Sequence, residues 1–448
     1  MEFLSTARTD KDIKLMVEKL PNGIDHTYQT LLCDTAARFP ERVAEMRILF
    51  YCLVGAASPL TAAQLSEIIA MQPGKRHLDF DTVATDPYDT LDLIASFVII
   101  DREGKTDGLV RLAHYSLEEY FCSQSIRNSA ASFFYVDAHE ADAWLASICL
   151  QYLTFEVFNE PLYEDLDQDV LEGYTFREYA SLNWFRHVNA AEDDPRLQNL
   201  CSQYLEHFLD ADEGPPCYKR WQEMITMIDP NGPLVPYSPI CFCIWAGMNA
   251  IALRLIAHLS SVDHHFENGH TCLTVAAKYN NLPMIQELLR LGANIDMPTK
   301  EPDYLRALTP LHFAAEWDAQ QAFDFLLDNG ADPHIPSSSG ATPFYRACRG
   351  GDLRIVRRLK DCGCNINALT RDGWTPLIET VENGHEDVVE LLLEWGADLF
   401  AVTDEGWTAL SFSEYLDKTA ISNRLRRAGA MPRVEEAGIL QTKGQDED

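Results

Sequence analysis

Thr309-Pro310-Leu311-His312-Phe313-Ala314-Ala315 decides the fold, because its pattern returns at a fixed interval. Thr342-Pro343-Phe344 and Thr375-Pro376-Leu377 follow at 33-residue steps, Thr408 extends the series, and Thr271 stands 38 residues before Thr309. Gly292, Gly330, Gly363, Gly396 and Gly429 keep the same steps, 38 and then 33 three times. Two independent markers with one period, lengthened at the same place, describe a row of like units.

Each unit follows from local chemistry. The threonine hydroxyl caps a first helix, and proline at the next position loses nothing because that N–H has no helical partner. Small residues such as Ala276-Ala277 and Ala314-Ala315 let neighbouring helices approach. A polar turn, clearest at Glu382-Asn383-Gly384-His385, leads to a second helix carrying Val388, Val389, Leu391, Leu392 and Leu393. Trp395-Gly396-Ala397-Asp398 ends that helix, with glycine as the left-handed cap. A finger then reaches the next unit through Arg371-Asp372-Gly373 or Asp404-Glu405-Gly406. Six units begin near 238, 271, 309, 342, 375 and 408, the first degenerate. The last carries Leu416-Asp417-Lys418 in place of the turn glycine and ends in Arg424, Arg426 and Arg427, as a polar terminal cap should. Five extra residues within 300–305 lengthen one finger. A 33-residue unit with T-P-L-H-x-A resembles the ankyrin repeat, which implies an array that binds proteins and rarely does chemistry.

In such an array the scaffold positions pack and the variable positions on fingers and first helices recognise. The residues before the threonines are His270, Leu308, Ala341, Trp374 and Trp407. Phe313, Arg346, Glu379 and Phe412 share one first-helix position, and their mixture of apolar and both charge signs points to a protein surface as ligand. The protein-binding candidates are therefore Trp374, Trp407, His270, Phe313, Arg346 and Glu379. Two tryptophans 33 residues apart are expected side by side, and buried tryptophan is a frequent interface anchor. Two roles stay open for them: packing on their own fingers, or contact with a partner.

The chain has 448 residues, 36 basic against 69 acidic ones, and a net charge of −33. That length exceeds one core, and that field repels phosphate backbones, so nucleic acid is excluded as a partner. The 12 cysteines include no C-x-x-C pair, and Cys241/Cys243 and Cys362/Cys364 match no zinc spacing. His258, His264, His265 and His270 fall on a second helix and a finger, so no metal site is expected. No N-x-S/T acceptor and no apolar leader occur, which suits a reducing cytosol or nucleus. The stretch 239–252 is apolar but too short for a membrane span, and it falls in the repeat frame.

The first quarter reads differently. Ile24, Tyr28, Leu31 and Leu32 mark one helix and 43–54 a second; Ser58-Pro59 breaks the chain before a capping box at Thr61 and Gln64. A buried strand at 96–100, a turn, a strand at 109–112 and a capping box at Ser116 and Glu119 complete a pattern that suggests a winged helix. Leu20-Pro21-Asn22-Gly23-Ile24-Asp25-His26-Thr27-Tyr28, Ser58-Pro59-Leu60-Thr61 with Leu65, and Leu112-Ala113-His114-Tyr115-Ser116-Leu117-Glu118-Glu119-Tyr120 resemble segments that follow the NTPase module in fungal NACHT–ankyrin proteins. Cys149-Leu150-Gln151-Tyr152-Leu153 and Tyr174-Thr175-Phe176-Arg177-Glu178-Tyr179-Ala180 continue the likeness. The resemblance implies a winged helix that packs on a NACHT-type module, with His114 as nucleotide sensor only where that module is present. Tyr115 stands where the best-known version of the motif has aspartate. The one G-K-T, Gly104-Lys105-Thr106, has Ile99 in place of the first glycine and lies between two strands, so it reads as a wing turn and not a P-loop. No G-x-S-x-G elbow occurs either, and neither cofactor nor enzymatic activity is expected.

The expected organisation is mainly α: the end of a helical segment over 1–25, a winged-helix module over 26–125, a helical connector over 126–233, an ankyrin solenoid over 234–430 and a disordered acidic tail over 431–448. The connector has helical patterns at 143–153, 176–188 and 197–209, and its acidic loop at 159–172 lacks the order of a calcium loop. The functional expectation is a non-enzymatic scaffold, with an ATP-dependent signalling switch lacking its catalytic half, or a free-standing adaptor that delivers a client, as alternatives.

Overall fold

The computed structural model describes residues 24–101, 108–155, 157, 173–192, 194, 238–266, 268–300 and 307–431. Residues 20–23, Gly104-Lys105-Thr106, the acidic stretch 159–172, the helical pattern expected at 197–209, the insertion at 301–306 and the residues after Met431 lie outside the described residues. The chain divides after Val235 into two compact units, and it is mainly helical.

In the first unit α1 (Ile24–Arg38) buries Tyr28 and Leu32, and α2 (Val43–Gly55) buries Met46, Leu49, Phe50, Tyr51 and Cys52. α3 (Ala62–Ala70) opens on the Thr61–Gln64 capping box: Thr61 Oγ1 accepts the Gln64 N–H at 3.2 Å and Gln64 Oε1 accepts the Thr61 N–H at 2.9 Å. β1 (Val98–Asp101) and β2 (Leu109–Leu112) pair antiparallel, Val98 opposite Leu112. The first strand thus starts later than the alternation at 96–100 suggests and is half covered, since Ile99 faces solvent while Phe97, just before it, fills the core. α4 (Tyr115–Phe121) is capped by His114, whose Nδ1 accepts the Ser116 N–H at 3.2 Å. Ser116 was expected to be the cap; it lies inside the first turn, its hydroxyl shared between His114 Nδ1 at 2.7 Å and the Tyr28 hydroxyl at 2.9 Å.

Phe50 sits at the centre of this core, with the rings of Phe97, Phe121 and Phe134 at 5.6, 4.4 and 5.7 Å. After the short α5 (Gln124–Arg127), α6 (Ala138–Leu153) and α7 (Phe176–Ala190) pack on each other and on α2 and α3. The described part of 126–233 therefore shares one core with the helices and hairpin before it. Polar ties fix that packing. Buried Glu67 on α3 accepts from the Tyr152 hydroxyl (2.5 Å), the Thr175 N–H (2.7 Å) and hydroxyl (2.6 Å) and the Phe176 N–H (3.2 Å). Buried His187 on α7 bonds Asp142 through Nδ1 at 2.7 Å and Tyr179 through Nε2 at 2.8 Å, and the Tyr179 oxygen accepts the Ala57 N–H at 3.0 Å.

The second unit is a row of helix pairs: α8 (Pro239–Ala246) with α9 (Asn249–Ile256), α10 (Cys272–Lys278) with α11 (Leu282–Arg290), α12 (Pro310–Glu316) with α13 (Gln320–Asp328), α14 (Pro343–Gly350) with α15 (Leu353–Asp361), α16 (Pro376–Asn383) with α17 (Glu386–Glu394), and α18 (Ala409–Tyr415) with α19 (Thr419–Arg427). First helices pack on first helices, and from α11 onward second helices on second helices. The threonine ruler marks the N-caps. The glycine ruler marks left-handed C-caps: at Gly396, φ +77°, the Gly396 N–H reaches Leu393 O and the Ala397 N–H reaches Leu392 O at 3.1 and 3.0 Å.

Candidate functional site

The face of interest is built by the fingers and first helices. A hydroxyl residue stands at the base of four successive fingers, Thr299, Ser337, Thr370 and Thr403, where the finger before them has Phe266, and the threonine hydroxyls close their fingers: the Thr370 N–H donates to Trp374 O at 2.9 Å and the Trp374 N–H to Thr370 Oγ1 at 3.0 Å, with Thr403 and Trp407 repeating both bonds at 2.9 and 3.1 Å. This series escaped the sequence reading although its 38, 33, 33 spacing was there to find. Successive fingers are tied through the Arg371 N–H to Ser339 O (2.8 Å) and the Asp404 N–H to Asp372 O (3.0 Å). Gly373 is required between them, because at φ +75° an added Cβ would meet Val402 O at 3.0 Å.

Trp374 and Trp407 are half-buried, and they do not lie against each other. Phe412 stands between them, 5.3 Å from Trp374 with near-perpendicular rings and 5.6 Å from Trp407. Tyr415, 58% exposed and not singled out by the sequence, extends the cluster at 5.1 Å from Trp407. Leu369 and Phe400 are exposed on the same two fingers.

The other candidates are held more deeply. Phe313 is 4% exposed, beside Leu308 and 5.0 Å from the His270 ring. His270 Nδ1 lies 3.1 Å from the Thr274 hydroxyl, and burial, helped by the charge of Lys278, pushes its imidazole down to about 4. Glu379 is 2% exposed and accepts the Tyr345 hydroxyl; burial pushes its carboxyl up, against the pull of Tyr345 and Arg349. Arg346 pairs with Glu316 at 2.9 Å, and Arg349 bridges Glu316 at 3.1 Å to Glu379 at 3.4 Å. Phe313 and Glu379 thus act on the surface through their neighbours. What reaches solvent is the rim of an open hollow of about 230 Å³ lined by Arg349, Asp372, Trp374 and Glu382.

His312 shows how the repeat signature uses its histidine. Nδ1 accepts the Thr309 N–H at 3.1 Å, so Nε2 carries the proton and donates to Ala341 O of the next unit at 3.0 Å. Burial, with a smaller push from Arg346, drives this imidazole down to about 3 despite the bond to Ala341.

In the first unit His114 caps α4, and its buried Nε2 has no hydrogen-bond partner. Among the described residues no group of three His, Cys, Asp or Glu side chains could hold a metal ion, and no helix is long and apolar enough to cross a membrane. His265 bonds Pro298 O at 2.9 Å, while His258 lies just past α9.

Residues 240–337 and 333–403 match the ankyrin-repeat family model. The array is made of ankyrin repeats. An azaphilone pigments biosynthesis cluster protein from Monascus ruber is 24% identical over 313 residues, 65% of this chain and 63% of that protein. That share is more than the second unit alone supplies, so the likeness extends into the first. Human 2-5A-dependent ribonuclease is 33% identical over 20% of this chain and 11% of its own length. Human SH3 and multiple ankyrin repeat domains protein 2 is 38% identical over 20% of this chain and 5% of its own. The chain therefore spans less than two thirds of each of these relatives.

Proposed function

We propose that this protein is a non-enzymatic scaffold whose ankyrin array holds a protein ligand on the finger and first-helix face around Trp374 and Trp407. The carrying observation is the aromatic cluster: Trp374, Phe412, Trp407 and Tyr415 form a continuous row of ring contacts across two repeats, with Tyr415 exposed at its end. Aromatic side chains offer large contact area at low entropy cost and are enriched at interface centres. His270, Phe313, Arg346 and Glu379 set the shape of the same face from beneath. The described cysteines other than Cys243 are free thiols, which suits the cytosol or nucleus.

The test places a photo-crosslinking amino acid at Trp374, at Trp407 or at Glu390 on α17, in extract of the native host. Labelling of one protein from the first two positions, at least tenfold weaker after Trp374→Ala with Trp407→Ala and with unchanged unfolding by circular dichroism, is the expected result. Labelling from Glu390 instead would move the site to the second helices.

A second reading concerns the first unit, which we assign as a winged helix that packs on a NACHT-type module in cis or in trans. The unpartnered, buried Nε2 of His114 at the hairpin-to-helix corner favours it. This reading would make the chain part of an ATP-dependent signalling switch, and the likeness to the fungal relative beyond the array is compatible with it.

A further inference from the structure

We propose that the ligand segment seated on this face is basic: an extended stretch whose arginine or lysine side chains stack on Trp374 and Trp407 and pair with the carboxylates of the last two fingers. This rests on the array binding a protein at the tryptophan face and adds what that protein presents there.

Two independent observations carry it. The first is which tryptophans already have a cation. In the array, Lys278 Nζ stands 4.4 Å over the Trp317 ring, and Lys360 Nζ stands 5.9 Å from the centre of Trp395. Trp374 and Trp407 have no cation over their rings among the described residues, although they lie on the fingers. Ring faces attract cations through their quadrupole, and arginine stacks flat on indole while keeping its fork of donors free for a carboxylate.

The second is the local charge. From Asp372 to Asp417 the chain has twelve Asp and Glu and not one Lys or Arg. The preceding stretch, 346–371, is mainly basic, with Arg346, Arg349, Arg354, Arg357, Arg358, Lys360 and Arg371 against Asp352 and Asp361. The acidic residues divide by face. On the second-helix side Arg424 pairs with Glu386 at 3.1 Å and approaches Glu390 at 3.9 Å. On the finger and first-helix side Asp372, Glu382, Asp404 and Glu405 are exposed and carry no ion pair among the described residues. Of the cations around them, Arg349 is engaged with Glu316 and Glu379, Lys418 with the Glu382 carbonyl at 2.6 Å and Arg426 with Glu414 at 2.7 Å, while Arg371, next to Asp372 in the chain, is exposed. Half-exposed rings with no cation over them, flanked by unpaired carboxylates, complement a segment with spaced positive charges.

The experiment uses the full chain and three synthetic peptides of one Gly-Ser frame: three arginines, three citrullines in the same places, or three glutamates. Binding is read by fluorescence anisotropy at low and physiological salt. The arginine peptide should bind saturably, and the citrulline peptide at least tenfold more weakly. Trp374→Ala with Trp407→Ala, and Asp404→Asn with Glu405→Gln, should each weaken the arginine peptide at least fivefold. Glu386→Gln with Asp387→Asn removes the same charge from α17 and should change it less than twofold. An equal loss in that control would mean bulk attraction to a chain of net charge −33 and would overturn the proposal. Equal binding of the citrulline peptide would overturn it too. In either case, partner crosslinking from Trp374 would still stand or fall separately, so failure of the basic-ligand inference is distinguishable from failure of the site.

Discussion

The two units satisfy a buried glutamate in different ways. In the first, Glu67 is bonded by Tyr152, Thr175 and Phe176, residues 85 to 109 positions away. In the array, Glu379 is bonded by Tyr345 and Arg349, 34 and 30 positions away, one repeat earlier. The chemistry is the same: a desolvated carboxylate must collect donors. The array solves the problem with side chains of the adjoining repeat, whereas the first unit solves it by bringing together helices distant in the chain.

That contrast sets the largest expected effect. Glu67→Leu would remove the acceptor of the buried Tyr152 hydroxyl and of the buried Phe176 N–H, each worth about 1–3 kcal/mol. We expect a loss of about 2–6 kcal/mol, seen in urea unfolding of the full chain as an early transition. Glu379→Leu strands only the Tyr345 hydroxyl, since Arg349 keeps Glu316, and should lose about 1–3 kcal/mol. Equal losses would erase the distinction between the two units.

The same contrast explains what could be read beforehand. The array was legible because every structural position recurs: caps, turns and core could each be checked against the next copy. Its site was legible in position but not in depth. Spacing placed Phe313, Arg346 and Glu379 on matched turns, yet whether such a side chain reaches solvent depends on its neighbours about one period away, and His270, Glu316 and Tyr345 cover or engage them. In the first unit single helices and the hairpin were readable from local patterning. The ties that fix α6 and α7 to α2 and α3 were not, because Glu67, Asp142 and His187 show no signal in sequence that names their partners.

Acid should distinguish the repeat signature from its variants. His312 is neutral and buried, its imidazole held down at about 3 against an ordinary value near 6.5. A base with a depressed folded value binds its proton more readily when unfolded. Its contribution is therefore intact above pH 6.5 and is lost progressively as pH falls from there toward 3. The slope is about 1.4 kcal/mol per pH unit for one such group. His270, held at about 4, adds a second over the upper part of that window. Urea midpoints of the full chain at pH 7, 6 and 5 give the slope, and His312→Gln should remove one proton's share of it. An unchanged slope in that variant would show that His312 does not remain neutral in the fold.

The smallest effect isolates one backbone position within the array. The turn between paired helices adopts positive φ in every repeat, with glycine at Gly351 (φ +86°) and Gly384 (φ +82°) but Asn280, Asp318 and Asp417 at +55°, +53° and +55°. A side chain in this region is strained, and glycine relieves that strain at the expense of a freer unfolded chain. Asp417 is exposed, so Asp417→Gly tests the backbone term with little lost contact, and we expect a gain of about 0.5 kcal/mol. Gly384→Ala, the reverse change one repeat earlier, should lose about 1 kcal/mol. Its new Cβ would meet the Lys418 ammonium at 2.9 Å, the far end of a long side chain that can shift. Opposite signs at two copies of one position would show that the repeats share a backbone requirement which the last of them meets imperfectly. Equal signs would mean that the terminal repeat has relaxed into a turn of its own.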